Sequence, residues 1–122
     1  MIHEAADGKS ALDLYGPSID CVILELALPD MSGFEVLFQL VPNPRCPEVA
    51  VVVLTRLNHL TLLEVAMTNG AQKSLNKSQT TVDLLDKAIL HAISDVQRIS
   101  EKYREVFSDR PSTDLRDSKE KW

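Results

Sequence analysis

The residue whose type and position most favour chemistry in this sequence is Glu25. It lies within an apolar run over residues 21–28, Cys-Val-Ile-Leu-Glu-Leu-Ala-Leu, and the turn residues Pro29 and Gly33 follow. A run of aliphatic and β-branched side chains that ends in such a turn is typical of a strand buried on both faces. Ligands of open α/β sheets bind at the carboxyl ends of the strands. We therefore predict that the Glu25 carboxylate is a site residue.

The other residue types that commonly do chemistry are scattered along the chain. Cys21 lies in the predicted strand and Cys46 in a proline-rich connection, and neither belongs to a cluster with metal-ligand spacing. The three histidines, His3, His59 and His91, have no metal partner or nucleophile at a useful spacing. No glycine-rich phosphate loop is present in the sequence. We therefore predict a protein that is not an enzyme, with no catalytic residue and no metal site.

The composition predicts a single acidic domain. The chain has 122 residues, of which 44% are hydrophobic, and a formal net charge of −5. Residues 1–93 hold eleven acidic and six basic side chains, and residues 94–122 hold seven of each. An acidic globular part argues against nucleic acid as a direct partner. No apolar run approaches the roughly 20 residues of a membrane span, and no basic-then-apolar leader is present, so we expect a cytoplasmic protein with no membrane partner.

Strand-like and helix-like segments alternate along the chain. In order, the pattern predicts the end of a strand at 1–6, a short helix at 9–14, a strand at 20–28, a helix from about Gly33 to Leu40, a strand at 49–55, a helix over Leu60–Thr68, a short strand over Lys73–Asn76 and a long helix from about Thr81. Asn69 and Gly70 form a typical stop signal for the third helix. Alternation of this kind predicts a parallel α/β sheet.

Residues 19–37 resemble the third strand and following helix of two-component receiver domains. The family carries a phosphate-accepting Asp at the position of Glu25, followed by a Pro and a Gly at the offsets of Pro29 and Gly33. Thr55 ends the apolar run 49–54 as the family's switch Thr or Ser does, and Lys77 matches the family's site Lys. The spacings of thirty and twenty-two residues between these three positions are those of a receiver. The resemblance implies a flavodoxin-like fold with strand order 2-1-3-4-5.

The resemblance is incomplete at the N-terminal end. A full receiver begins with a strand and a helix, and its first strand ends in an acidic pair, whereas residues 1–8 resemble the end of the family's second strand and the next loop. We therefore expect the first strand, the first helix and the acidic pair to be missing. Magnesium needs several oxygen ligands in near-octahedral array, and phosphoryl transfer depends on this charge neutralisation. Although the family implies Mg²⁺, we predict no cofactor and no phosphorylation of Glu25.

Two roles for Glu25 stay open. Glutamate carries its charge about 1.5 Å further out than aspartate, toward the place that phosphoryl oxygens would occupy. Glu25 would then partly mimic the phosphorylated state and hold Thr55 and Lys77 in a fixed arrangement. The alternative is a degenerate site in which Glu25 is a tolerated polar residue paired to Lys77. Arg56, where the family usually has a small residue, either pairs with Glu25 or points to solvent.

The resemblance implies a signalling module of a two-component phosphorelay. We predict a pseudo-receiver that is not phosphorylated and acts by protein–protein interaction, with a sensor kinase or a protein carrying an output domain as its partner. The alternative is a phosphoacceptor receiver of a hybrid kinase or response regulator, active when joined to missing upstream sequence.

The long C-terminal helix carries an apolar seven-residue repeat. Its members are Leu85, Ile89, Ala92, Val96, Ile99, Tyr103 and Val106. A receiver's last helix needs only the first half of this seam to cover its sheet. We therefore predict a partial receiver-like domain at 1–93, a projecting helix or coiled-coil linker at 94–107 and a disordered tail at 108–122. A homodimer through this helix is a further option.

Overall fold

The computed structural model describes residues 2–108. Its elements in chain order are α1 (Gly8–Leu14), β1 (Cys21–Leu24), α2 (Gly33–Leu40), β2 (Ala50–Thr55), α3 (Leu60–Thr68), β3 (Lys73–Asn76), a 3₁₀ turn (Lys77–Gln79) and α4 (Val82–Ser108). The predicted α/β fold with a parallel sheet and a long C-terminal helix is confirmed. None of the helices within the described residues combines the length and apolarity needed to cross a membrane.

The three strands form one parallel sheet in the order β1-β2-β3. Cys21 is in register with Ala50, and Leu24 with Val53. On the other side of β2, Thr55 is in register with Asn76. Because all three strands run in the same direction, their carboxyl ends meet at one edge of the sheet. That edge is where Glu25, Thr55 and Lys77 occur in the sequence.

The central strand β2 is buried on both faces, as its continuous apolar sequence predicts. Val51 and Val53 belong to a core that includes Val36, Leu37 and Ala66 from α2 and α3. On the opposite face, the core is formed by four residues of β2 and α4: Ala50, Val52, Ala92 and Val96. Helices α2 and α3 therefore cover one face, with Leu12 of α1 packed against the same core, and α4 covers the other face.

Local signals explain where two of the helices begin and end. The Ser32 side chain caps α2 by accepting a hydrogen bond from the N–H of Phe34. After α3, Gly70 adopts a φ of +109°, a conformation that other residues rarely adopt. A Cβ atom at Gly70 would also lie 2.5 Å from a methyl carbon of Val41. The predicted stop at Asn69 and Gly70 is confirmed.

The first strand predicted from the sequence is wrong within the described residues. Residues 2–6 form no strand and are exposed. Strand β1 is also shorter than the predicted 20–28, because the chain turns at Glu25. A strand needs a hydrogen-bonded neighbour, and residues 2–6 have none in this part of the chain.

The outer edge of β1 has no partner strand among residues 2–108. The C=O of Asp20 accepts a hydrogen bond from the N–H of Ala50 on β2. Since successive residues of a strand direct their backbone groups to opposite sides, the N–H and C=O of Cys21 and Ile23 point away from β2. The Ile23 side chain is 47% exposed. The predicted absence of a neighbouring first strand and helix stays a prediction.

Helix α4 runs without interruption from Val82 to Ser108. Its buried residues Ala88, Ala92 and Val96 face the sheet, whereas residues 101–106 are exposed. Val96 therefore belongs to the packed half, three residues beyond the predicted domain boundary at 93. The boundary and the projecting linker stay predictions. The predicted tail at 108–122 lies outside the described residues, apart from Ser108 at the end of α4.

Candidate functional site

The three residues predicted as the site converge at the carboxyl edge of the sheet. Glu25 follows β1, Thr55 ends β2, and Lys77 follows β3. The Nζ atom of Lys77 lies 3.0 Å from Oε1 of Glu25. A charge-assisted hydrogen bond at this distance is short and strong relative to neutral ones. Residues that are 52 positions apart in sequence thus form one ion pair because parallel strands bring their ends together.

Thr55 is the buried member of the site. Its side chain is fully excluded from solvent, and its Oγ1 accepts a hydrogen bond of 3.2 Å from the N–H of Leu57. This bond fixes the first turn of the connection between β2 and α3. The hydroxyl therefore links the site to that connection as well as to Glu25.

The Glu25 carboxylate is held in its charged form. Partial burial by itself raises the pKa of this carboxyl group. Hydrogen bonds from Thr55, Lys77 and the N–H of Ala27, together with the charge of Lys77, outweigh burial and lower the pKa to about 2. Ala27 donates to Oε2 at 3.2 Å. Glu25 is therefore ionised at neutral pH, with each of its oxygens bound by a group of this chain.

The loop after Glu25 is tightly closed. The N–H of Gly33 donates to the C=O of Leu26 at 2.9 Å, and Ala27 forms an antiparallel bridge with Ser32. A Cβ atom at residue 33 would lie 2.5 Å from the C=O oxygen of Glu25, so glycine is required there. The Pro29 and Gly33 turn signals in the sequence predicted this reversal, but not its closeness to Glu25.

Asp30, at the tip of this loop, is a residue that sequence reasoning missed. Its two carboxylate oxygens accept hydrogen bonds from the N–H groups of Gly8 at 2.8 Å and Lys9 at 2.9 Å. Asp7 caps the same helix by accepting a hydrogen bond from the N–H of Ser10. The capping pattern around Asp7 is a local signal, whereas a contact across 22 positions leaves no trace in a sequence.

The described residues do not fit a magnesium site. Among residues 2–108, no three His, Cys, Asp or Glu side chains lie close enough together to hold a metal ion. The Glu25 carboxylate is already bound by Lys77 and Ala27. Arg56, considered as a second cation for Glu25, is exposed. We therefore derive no metal-dependent step, and the expectation that no cofactor binds stays a prediction.

Comparison with known families agrees with this geometry. The family described as response regulator receiver domain matches residues 1–89. The chain is 32% identical over 72 residues to a two-component response regulator of Oryza sativa, which covers 57% of this chain and 54% of that protein. It is 40% identical over 55 residues to a probable cyclic di-GMP phosphodiesterase of Vibrio cholerae, covering 44% of this chain and 12% of that protein. The chain thus spans about half or less of these relatives.

Solved structures show the same fold. A response regulator receiver domain from Clostridium thermocellum superposes with a TM-score of 0.66 at 28% identity, covering 78% of this chain and 75% of that one. A signal receiver domain from Vibrio parahaemolyticus has a TM-score of 0.66 at 24% identity, covering 76% and 70% respectively. Together with the match over residues 1–89, these similarities show that the chain belongs to the response regulator receiver domains of two-component signalling systems.

Proposed function

We propose that this receiver domain is not phosphorylated at residue 25 and signals by protein–protein contact. The observation that supports the proposal is the Glu25–Lys77 ion pair. In phosphoryl transfer, a positioned cation and a metal ion neutralise the charge of the incoming phosphoryl group. Here Lys77 already neutralises the carboxylate, and residues 2–108 provide no cage of acidic ligands for a metal.

The same geometry supports a partial mimic of the phosphorylated state. Glu25 carries a full negative charge beyond the end of β1 and is hydrogen-bonded with Thr55 and Lys77. A phosphorylated side chain carries about −1.5 to −2 charges, so the Glu25 carboxylate supplies half or more of that charge. Its effect on Thr55 would hold the connection after β2 in one conformation through the Leu57 N–H.

Receiver domains interact with kinases or output domains, and the proposed contact surface here surrounds β3. Both helices that flank this strand expose apolar side chains: Leu60 on α3 is 71% exposed, and Val82 on α4 is 75% exposed. Large exposed apolar side chains of this kind are available to a docking partner. We propose that a kinase or output domain, in the same cytoplasmic compartment, docks there.

A homodimer through α4 would have a short seam. Ala92 and Val96 are buried in the domain, so the part of the repeat beyond Val96 is short. Isolated seams this short are marginal, because stable coiled coils need several heptads. We therefore propose that α4 leads into a following module, and that any dimer needs additional contacts. Cyclic di-GMP phosphodiesterases among the relatives, of which the chain covers 12% and 27%, are examples of longer proteins.

The test is exposure of the chain to a small phosphodonor with Mg²⁺, followed by mass spectrometry of the intact protein. We expect no mass increase, and the Glu25→Asp variant is the control for whether the residue alone prevents the reaction. A phosphoryl adduct that maps to Glu25 would overturn the proposal.

A second experiment tests mimicry with the Glu25→Gln variant. Loss of partner affinity in this variant, with unchanged folding, would support mimicry. Unchanged affinity and unchanged Thr55 and Lys77 environments would favour a degenerate site.

The open edge of β1 favours a second candidate function. An additional strand from upstream sequence would pair with Cys21 and Ile23, and a quarter of the Clostridium receiver lies outside the part that this chain covers. The domain would then be a phosphoacceptor receiver of a hybrid kinase or response regulator. The same phosphodonor assay on a chain extended at its N-terminus tests this, since an adduct in the extended chain alone would favour the second candidate.

A further inference from the structure

Asp30 joins two parts of the molecule that are separate in sequence. It lies at the tip of the loop that begins at Glu25, and its carboxylate binds the first two N–H groups of α1. These N–H groups have no partner within the helix, so a carboxylate that accepts both satisfies groups that the helix itself cannot. The N–H groups of Lys9 and Gly8 lower the pKa of Asp30, so the carboxylate stays charged at neutral pH.

A packing contact between α1 and the loop adds to the hydrogen bonds that Asp30 accepts. A Cβ atom at Gly8 would lie 2.6 Å from Cγ of Met31, the residue after Asp30. Gly8 is buried, and its lack of a side chain lets the helix approach the loop. The start of α1 thus meets the loop tip through two carboxylate bonds and one close apolar contact.

The loop between Asp30 and Glu25 is held together by its own backbone contacts. Its two arms are joined by the Ala27–Ser32 bridge and by the bond from Gly33 N–H to Leu26 C=O. Ala27 also donates its N–H to the Glu25 carboxylate. The loop that Asp30 holds at its tip thus includes a group that binds Glu25 directly.

We propose that Asp30 is a positioning residue that couples α1 to the Glu25–Lys77 pair. When α1 moves away from the loop tip, Ala27 loses its alignment with Glu25, and the ion pair loosens. A partner that contacts α1 therefore changes the charge environment at residue 25 without touching it. The inference rests on the proposed function in taking Glu25 as the signalling group, but its geometry is independent of whether residue 25 accepts phosphate.

The test is a nuclear magnetic resonance titration of the Glu25 carboxyl carbon in the full chain and in Asp30→Ala. We expect the Glu25 pKa to rise by about half a unit to one unit in the variant, because a misaligned N–H donor stabilises the charged form less. The Ala27 amide signal should shift with it. Asp7→Ala is the matched control, since Asp7 caps the same helix without touching the loop.

Two further variants keep the test decisive. Asp30→Asn retains one acceptor oxygen and should give a smaller rise, which covers the case that Asp30→Ala fails to fold. Gly8→Ala leaves Asp30 intact but pushes α1 from Met31, and it should shift Glu25 in the same direction. If Asp30→Ala frays α1 as Asp7→Ala does while the Glu25 pKa and the Ala27 signal stay unchanged, Asp30 is a helix cap and the proposal is wrong. The phosphodonor assay gives its result separately, so failure of one proposal does not imply failure of the other.

Discussion

The carboxyl edge of the sheet and the outer edge of β1 differ in how fully their polar groups are bonded. At the carboxyl edge, Glu25 is bound by Lys77 and by the N–H of Ala27, and Thr55 is buried with its hydroxyl bonded. A few ångströms away, the backbone groups of Cys21 and Ile23 point to a side where residues 2–108 supply no strand. The difference teaches that residues 2–108 bond the charged groups of the site more fully than the backbone groups at the outer edge of β1.

The largest expected effect is a difference in the free energy of unfolding between substitutions at two residues that lie in register on neighbouring strands. Ile23 and Val52 are paired in the sheet and point to the same face, but Val52 is fully buried. We expect Val52→Ala to lower the free energy of unfolding by about 2 to 3 kcal/mol, since it removes buried methyl groups and leaves a cavity. Ile23→Ala removes more carbon atoms but should cost about 1 kcal/mol or less.

Urea denaturation of Val52→Ala and Ile23→Ala at equal protein concentration measures the loss in free energy of unfolding that each substitution causes. Equal losses would contradict the comparison, because they would show that Ile23 is covered in solution. In that event, a dependence of the midpoint on protein concentration would identify self-association through the open edge as the cause.

The next largest effect concerns the buried hydroxyl of Thr55 at the carboxyl edge of the sheet. Thr55→Val preserves the shape of the side chain but leaves the Leu57 N–H without its acceptor, so we expect a loss of about 1 to 3 kcal/mol in the free energy of unfolding. Thr61→Val is the control, because Thr61 lies on α3 with its side chain exposed. Similar losses in both variants, measured in urea, would mean that the buried hydroxyl contributes nothing specific.

A pH dependence follows from the Glu25 pairing. The pKa of Glu25 is lowered from 4.5 to about 2 in the folded chain, so its stabilising contribution is present above about pH 4.5. That contribution is lost as the pH falls from about 4.5 toward 2. Thermal unfolding across this range should show that the difference in melting temperature between the unmodified chain and Glu25→Gln becomes smaller as the pH falls. Glu4→Gln, at an exposed position, serves as the control, and a constant difference would argue against the ion pair.

The smallest effect concerns single amides of β1. The N–H groups of Val22 and Leu24 point to β2, whereas those of Cys21 and Ile23 point outward. Hydrogen exchange monitored by nuclear magnetic resonance should therefore alternate along the strand, with Val22 and Leu24 protected. Protection of Cys21 and Ile23 at low protein concentration would show that another segment covers the edge.

Much of the fold was predictable because its signals are local. Apolar runs ended by turn residues located β1 and β2, and Asn69 with Gly70 located the end of α3. The strand predicted at 1–6 was wrong for residues 2–6, because whether an extended segment becomes a strand depends on a neighbour that its own sequence does not contain. Burial of Val96 is likewise not readable from its own segment, since it depends on the β2 face opposite.

The sequence by itself determined the alternation of helices and strands, and it predicted Glu25, Thr55 and Lys77 as the site residues. Periodicity, turn chemistry and family spacing all depend on residues near each other or on fixed positions. The tertiary structure alone decided that Lys77 pairs with Glu25, that the Asp30 carboxylate binds the start of α1, and that β1 has a strand neighbour on one side only among residues 2–108. Such contacts join residues that are far apart in the chain, and their energies depend on distances that exist only after folding.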